Sequence, residues 1–175
     1  MGIPARPGVP FSRPYTGMDG IAPGILGGTA QWILEARRAS MGALWNNGAY
    51  GVREMRGKKQ ISVHATGRAV DLSYRKRQHH PNVPSGRASV MDWLDRVILH
   101  ANTLGLEMLI DYFPAPHGRA WRCDRQAWLV YQTKTVWGAP GGDWFHVEIN
   151  PAFAKSAGTV RKAWAEVFPE IHRDR

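Results

Sequence analysis

The sequence predicts an α+β domain in which a small, largely antiparallel sheet is covered on one face by helices. Two segments, residues 68–74 and 144–149, alternate apolar and polar side chains, as expected for strands with one buried and one open face. Three further segments, residues 29–45, 88–103 and 156–168, carry apolar side chains at helical spacing. We therefore expect the helices to lie on one side of the sheet and the other side to remain open.

An extended arm is predicted for residues 1–28, which contain five prolines and several glycines. This composition favours loop structure over regular helix or strand, so the arm either drapes over the domain or moves freely. Residues 29–175 are predicted to form a single domain, because a chain of 175 residues lies within the ordinary range for one domain.

The elements of the domain have recognisable starts and stops. The first helix is predicted to begin at Thr29, a candidate N-cap, and to end near the Asn-Asn-Gly sequence at residues 46–48. The second, over residues 88–103, has the strongest helical periodicity and ends before Gly105. A strand is predicted for residues 106–113, where apolar residues precede a proline.

The chain is strongly basic, with a net charge of +9 and a pI near 10.2, which predicts attraction to a polyanion. Nucleic acid and the anionic polymers of a bacterial wall both fit, and the charge alone does not choose between them.

Trp121 and Trp128 alternate with arginines, as in surfaces that bind single-stranded nucleic acid, but half-buried β-strands give the same pattern. Cys123 is the only cysteine, so an internal disulfide is excluded.

The N-terminal region contains no apolar run long enough for a signal peptide or a membrane span. We therefore expect synthesis in the cytoplasm and no membrane span. We also expect a monomer.

Two histidines and one carboxylate suggest a metal centre. His64 and Asp71 lie on either side of a turn at Gly67, and His146 lies in the later alternating segment. Residues 61–64 also alternate, which predicts that His64 lies on a strand and faces away from the core. Two imidazoles and a carboxylate are a ligand set that catalytic zinc uses while its fourth position stays open to water.

The residues around this set match a known motif. Every fixed position of S-x-H-x-x-G-x-A-x-D is filled, by Ser62, His64, Gly67, Ala69 and Asp71. This pattern resembles the zinc D-alanyl-D-alanine carboxypeptidases and L-alanyl-D-glutamate endopeptidases of the LAS group, named for lysostaphin, D-alanyl-D-alanine metallopeptidase and sonic hedgehog. An acidic residue three positions before the last histidine completes the resemblance, which covers roughly residues 48–150.

The resemblance implies roles for individual residues. Zinc would be held by the two histidines and Asp71, and Asp143 would be the acid and base of the reaction. An upstream arginine of the family contacts the scissile carbonyl oxygen; Arg53 fits that place better than Arg56. The candidates for holding the ligands in place are Ser62, Trp144 and Glu148.

The resemblance therefore implies a LAS-type fold and a zinc-dependent peptidoglycan peptidase. Aspartate at position 143 makes the chain more similar to phage endolysins than to the carboxypeptidases. Cleavage of the L-alanyl-D-glutamate bond is therefore slightly favoured over cleavage of the D-alanyl cross-link. An endolysin without a signal peptide would reach the wall by a holin-type route. D-alanyl-D-alanine carboxypeptidase activity is the alternative.

Three other classes of protein compete with this interpretation. A basic zinc-containing binding protein would share the metal site but not need Asp143. A nucleic-acid-binding protein would explain the charge but not the motif, so nucleic acid is not the expected partner. A non-haem iron oxygenase also uses two histidines and a carboxylate, but its first pair is usually H-x-D, whereas His64 and Asp71 are seven positions apart.

Overall fold

The structure, a computed structural model, describes residues 12–55, 59–78, 80, 82–134 and 137–173, which form an α+β fold. A six-stranded sheet has the order β1-β2-β6-β3-β4-β5, and each pair of neighbours is antiparallel. Its strands are β1 Trp45–Gly48, β2 Ala69–Ser73, β3 Leu106–Asp111, β4 Arg119–Arg122, β5 Ala127–Val130 and β6 Trp144–Ile149. The predicted fold class, α+β with a small antiparallel sheet, is confirmed.

Helices cover one face of this sheet. They are α1 Gly27–Ala39, α2 Met91–Leu99, α3 Pro151–Lys155 and α4 Ala157–Val167, with short 3-10 helices at Val63–Thr66, Arg87–Val90 and Pro169–His172. None of the helices among the described residues is long and apolar enough to cross a membrane.

Four aromatic side chains join the helices to the sheet. Trp32 of α1 meets Trp93 of α2 and Trp164 of α4 edge to face, with ring centroids 6.2 and 5.0 Å apart. Trp93 in turn stacks on Phe145 of β6 at 5.9 Å. The core therefore lies between this face and the helices, and the opposite face of the central strands is left to carry the polar side chains.

The first helix is shorter than predicted. It begins at Gly27, so Thr29 is a buried residue within the helix and the prediction that it is the N-cap was wrong. The helix ends at Ala39 instead of residue 45, and residues 45–48 form the edge strand β1. The backbone leaves the helix through Met41 and Gly42, which both have positive φ, and the Gly42 N–H donates to the Arg37 carbonyl at 2.7 Å. Met41 therefore takes the left-handed position after the helix cap that glycine usually occupies, so no glycine at that position marked the end of the helix in the sequence.

The other predicted helices differ less. The second begins with a 3-10 turn at Arg87–Val90, and its α-helical part is confined to Met91–Leu99. The closing helix, Ala157–Val167, is confirmed, and the Ser156 hydroxyl accepts a hydrogen bond from the Thr159 N–H as its cap. The predicted strand at residues 106–113 is present as Leu106–Asp111.

Residues 12–26 of the predicted arm pack on the domain. The Arg13 N–H donates to the Cys123 carbonyl at 3.2 Å, and the Ala22 N–H donates to the Ala65 carbonyl at 2.9 Å. The Tyr50 hydroxyl adds a third tether by donating to the Ala22 carbonyl at 2.7 Å. We call residues 12–26 the N-terminal strap, since they are held at several points along their length.

The tryptophans of β4 and β5 belong to half-buried strands. Trp121 is 2% exposed and lies in the hydrophobic core, and Trp128 packs against that core. The guanidinium of Arg119 lies 4.1 Å from the centroid of the Trp128 ring. This packing accounts for the alternation of tryptophan and arginine without nucleic acid.

The contact of α1 with α3 predicts an effect of Gly28→Ala. A Cβ at this second residue of α1 would lie 1.9 Å from the Phe153 carbonyl oxygen, so the two backbones would have to separate. We expect the free energy of unfolding, measured with urea, to fall by roughly 1–3 kcal/mol.

Gly158→Ala is the matched control, because Gly158 is the second residue of α4 and a Cβ there would meet no atom within 4 Å. This change should leave stability the same or raise it by up to about 1 kcal/mol. Equal effects of the two substitutions would contradict the proposed close contact.

Candidate metal centre

Two of the predicted ligands are brought together by the pairing of β2 with β6. The register places Asp71 directly opposite His146, and the His146 Nδ1 lies 3.0 Å from the Asp71 Oδ1. Their neighbours Leu72 and Phe145, which also form a pair, are buried in the core. Because side chains alternate along a strand, Asp71 and His146 lie together on the opposite face. This face was predicted to be open, but His146 and Glu148 are buried and the strap contacts the face through Tyr15.

His64 reaches the same point from a 3-10 helix, Val63–Thr66, and the prediction of a strand at residues 61–64 was wrong. Local side-chain hydrogen bonds stabilise the turn instead. The Ser62 hydroxyl accepts from the His64 N–H at 3.4 Å, and the Thr66 hydroxyl donates to the Val63 carbonyl at 2.8 Å. The His64 Nε2 lies 3.4 Å from the Asp71 Oδ1.

The backbone conformation and the packing around the motif explain why its small residues are small. Gly67 ends the 3-10 helix with φ of +68°, in the left-handed region that favours glycine. A Cβ there would lie 2.2 Å from the Gly24 carbonyl oxygen, so the strap also requires a glycine. Ala69 is fully buried and stands opposite Glu148 on β6, where a larger side chain would compete for the same space.

The three side chains fit a metal ion. One ligand atom from each of His64, Asp71 and His146 lies within 4.8 Å of the others. Tetrahedral zinc with bonds of about 2.0–2.1 Å separates its ligand atoms by about 3.3 Å. The separations of 3.4 and 3.0 Å from the Asp71 Oδ1 to the two imidazoles are close to that value. The group can therefore hold a metal ion with little rearrangement.

The electrostatics of the group depend on the carboxylate between the rings. Burial would raise the pKa of Asp71, but hydrogen bonds with His146 and His64 hold it well below its usual range. Burial would lower the pKa of His146, but its hydrogen bonds to Asp71 and Glu148 outweigh that effect and raise it to about 10. A metal ion entering this site would have to displace a proton from His146.

Glu148 is the one of the three predicted supporting residues that contacts a ligand ring. Its Oε1 lies 3.0 Å from the His146 Nε2, on the side of the ring away from Asp71. Ser62 instead caps the turn at His64, and Trp144 packs its ring against Tyr112 at 4.6 Å. A buried carboxylate behind a ligating histidine is a common way to fix the orientation of the ring.

Asp143 lies just before β6 and is paired with an arginine. Its two carboxylate oxygens accept hydrogen bonds from Arg75 at 2.6 and 2.8 Å, and this pair holds the pKa of Asp143 below its usual range. Three residues of extended chain correspond to about 10 Å, so the backbone of Asp143 is well separated from that of His146. Its predicted role as acid and base remains a prediction.

Arg53 lies on a hairpin that leads to His64. Its carbonyl accepts the Ser62 N–H at 2.9 Å, and a bridge between Glu54 and Ile61 continues the pairing. The Arg53 side chain is exposed to solvent. Its predicted contact with the substrate remains a prediction, and Arg56, the alternative, lies outside the described residues.

Two residues that shape this site were missed in the sequence: Tyr15, whose hydroxyl donates to Glu148 at 2.6 Å, and Arg75. Their partners lie far away along the chain, so no local periodicity or short motif marks them. A tyrosine in a proline-rich segment and an arginine in a basic loop both resemble ordinary surface residues.

Comparison of the chain with protein-family models, with curated proteins and with solved structures gave no match. Any function assigned to the chain must therefore rest on the chemistry and geometry of its own residues.

The pairing of Asp143 with Arg75 predicts that Arg75→Gln raises the pKa of the Asp143 carboxyl toward its ordinary value. The substitution removes the positive charge and both hydrogen bonds that favour the ionised form. An NMR titration of the side-chain carboxyl carbons measures this pKa directly, and Asp143 should then gain its proton at a higher pH than in the wild-type protein.

Arg122→Gln is the matched control, since Arg122 makes a similar exposed pair with Asp124. It should raise the pKa of Asp124 and leave that of Asp143 unchanged. A titration of Asp143 that is the same in wild type and in Arg75→Gln would show that the pair does not persist in solution.

Proposed function

We propose that this protein is a zinc-dependent peptidase that hydrolyses an amide bond in the peptide part of bacterial peptidoglycan. The observation that carries the proposal is the meeting of His64, Asp71 and His146, with candidate ligand atoms within 4.8 Å of one another. His64 and Asp71 also occupy the ligand positions of the motif through which the chain resembles LAS-group peptidases, and His146 is the last histidine of that resemblance. From the ligand group and the motif together we also propose that the chain has the LAS fold.

The ligand set favours catalysis over a purely structural metal. Structural zinc sites are usually closed by four protein ligands, whereas catalytic sites keep one position open. His64 and His146 are 4% and 8% exposed, but the Asp71 side chain is 20% exposed. A substrate would therefore have to reach the site beside Asp71, the most exposed of the three candidate ligands.

Zinc, when bound, would supply a Lewis acid that activates water and polarises the substrate carbonyl. The residues of the chain would supply the remaining steps. Asp143 would accept the proton of the attacking water and return it to the leaving amine. Arg53 would donate hydrogen bonds to the carbonyl oxygen as negative charge develops on it.

The ion pair of Asp143 adds a condition to this mechanism. An aspartate is ordinarily ionised at neutral pH, and the pair with Arg75 lowers the pKa of Asp143 further, so its carboxylate is available to accept a proton. The same pair makes it a weak base and occupies both of its oxygens. Substrate binding would therefore have to release Asp143 from Arg75. The Arg75 side chain is 57% exposed, so it has room to turn away.

The substrate class follows from charge and from the identity of residue 143. A net charge of +9 favours binding to a wall rich in carboxylates and anionic polymers. Position 143 carries aspartate, as the resembled phage endopeptidases do, so we favour the L-alanyl-D-glutamate bond over the D-alanyl cross-link. Removal of a terminal D-alanine is the alternative. On this proposal the protein acts as an endolysin, and peptidoglycan is its main partner.

The test is digestion of purified peptidoglycan with zinc-loaded protein, followed by mass spectrometry of the new amino ends. Free N-terminal D-glutamate or isoglutamine is the expected product; a freed diamino-acid side chain would identify the cross-link instead.

Asp143→Asn should retain zinc but lose turnover by about 10²–10⁴-fold, because it removes the acid and base and spares the ligands.

Asp124→Asn is the matched control, because Asp124 is also paired with an arginine but lies after β4, in the turn before β5. It should retain full activity. Release of D-alanine alone would identify a carboxypeptidase. No product from zinc-loaded protein would contradict the proposed function, and equal loss of zinc and activity in Asp143→Asn would assign Asp143 to the metal site.

A further inference from the structure

A chain of hydrogen bonds connects the N-terminal strap to the back of the metal centre. The Tyr15 hydroxyl donates to the Glu148 Oε2 at 2.6 Å, and the Glu148 Oε1 lies 3.0 Å from the His146 Nε2. Glu148 is 4% exposed, so water does not readily replace either partner. Each oxygen of this buried carboxylate is therefore bound by one side chain, one from the strap and one from a candidate ligand.

The position of Tyr15 is fixed by its neighbours in the strap. The Thr16 hydroxyl donates to Glu107 at 2.7 Å. The buried Arg68 side chain donates to the Gly17 carbonyl and, at 2.9 Å, to Asp19. Together with the hydrogen bond from the Arg13 N–H to the Cys123 carbonyl, these contacts hold the strap on both sides of Tyr15, so its hydrogen bond to Glu148 is constrained and not a chance contact of a loose segment.

We propose that Tyr15 is a positioning residue of the metal centre, and that the strap thereby completes a site whose ligands all come from elsewhere in the chain. This inference rests on the proposed function, because it requires that His146 bind the metal. If Nδ1 of His146 faces the metal, its Nε2 must carry the proton and donate it to an acceptor. Glu148 is that acceptor, and Tyr15 sets the rotation of its carboxylate.

The physical reason for this role is the burial of Glu148. Loss of the tyrosine hydroxyl would remove the donor that the described part of the chain supplies to the Glu148 Oε2, at a buried position that water does not readily reach, and this is costly. The carboxylate would then turn or recruit another donor, and its hydrogen bond to the His146 Nε2 would weaken. The imidazole would be less firmly oriented toward the metal, and the affinity for the metal would fall.

A second tyrosine separates this role from simple anchoring of the strap. The Tyr50 hydroxyl also holds the strap, through the Ala22 carbonyl at 2.7 Å, but this bond involves neither Glu148 nor a candidate ligand. Tyr15→Phe and Tyr50→Phe each remove one oxygen atom and one hydrogen bond to or from the strap. Only the first should change the metal site.

The experiment measures the zinc affinity of the full chain by competition with a chromophoric chelator, and the visible absorption of the cobalt-substituted protein. Tyr15→Phe should weaken zinc binding by about tenfold and alter the cobalt spectrum, since changes in such outer partners usually cost 10–100-fold in metal affinity. Glu148→Gln should weaken binding at least as much. Tyr50→Phe should match wild type in both measurements, and thermal melting of each metal-free variant establishes that it is folded.

Equal zinc affinities of Tyr15→Phe and Tyr50→Phe would overturn the inference, whether both match wild type or both are weakened, because Tyr15 would then act only as an anchor. If Tyr15→Phe were unfolded, the cobalt spectrum of Glu148→Gln would decide: a spectrum identical to wild type would overturn the role of the Tyr15 and Glu148 pair. A wild-type protein that binds neither metal would contradict the proposed function itself, a result distinct from any difference between the variants.

Discussion

The candidate site depends on the register between β2 and β6. Asp71 stands opposite His146 only because Leu72 stands opposite Phe145 and Val70 opposite Val147, and these four apolar side chains are buried against the helices. A slip of one residue would turn one set of side chains to the other face and bury a carboxylate or an imidazole in the core. The packing of the core therefore fixes the geometry of the polar face.

Long-range polar contacts then attach the remaining parts to this frame. The Arg68 side chain is almost completely buried, and it pairs with Glu107 at 3.3 Å and with Asp19 of the strap at 2.9 Å. Breaking one partner of such a buried set usually destabilises a protein strongly, because a charge is left without compensation. The turn that carries His64 is bounded by Gly67, whose carbonyl accepts a hydrogen bond from Leu26 of the strap. The strap therefore supports the segment that carries His64 and also packs over the site.

Much of the fold could be predicted from local pattern, and much of the site from the spacing of a few residues. The alternation in β2 and β6 and the helical spacing in α4 follow which side chains face the hydrophobic core, so these elements were predicted close to their true positions. The turn at His64 was mistaken for a strand, because its stability comes from side-chain hydrogen bonds that leave no periodicity. The partners of Tyr15 and Arg75 could not be predicted, since they depend on which distant segments the fold brings together.

The most direct test of the account is a crystal structure of the zinc-loaded protein with anomalous diffraction data collected at the zinc edge. If these three side chains bind zinc, we expect one anomalous peak per chain, about 2.0–2.2 Å from the His64 Nε2, the Asp71 Oδ1 and the His146 Nδ1, with a fourth position facing solvent. A peak elsewhere, or none between these three side chains, would contradict the assignment of the metal centre and the peptidase mechanism that depends on it.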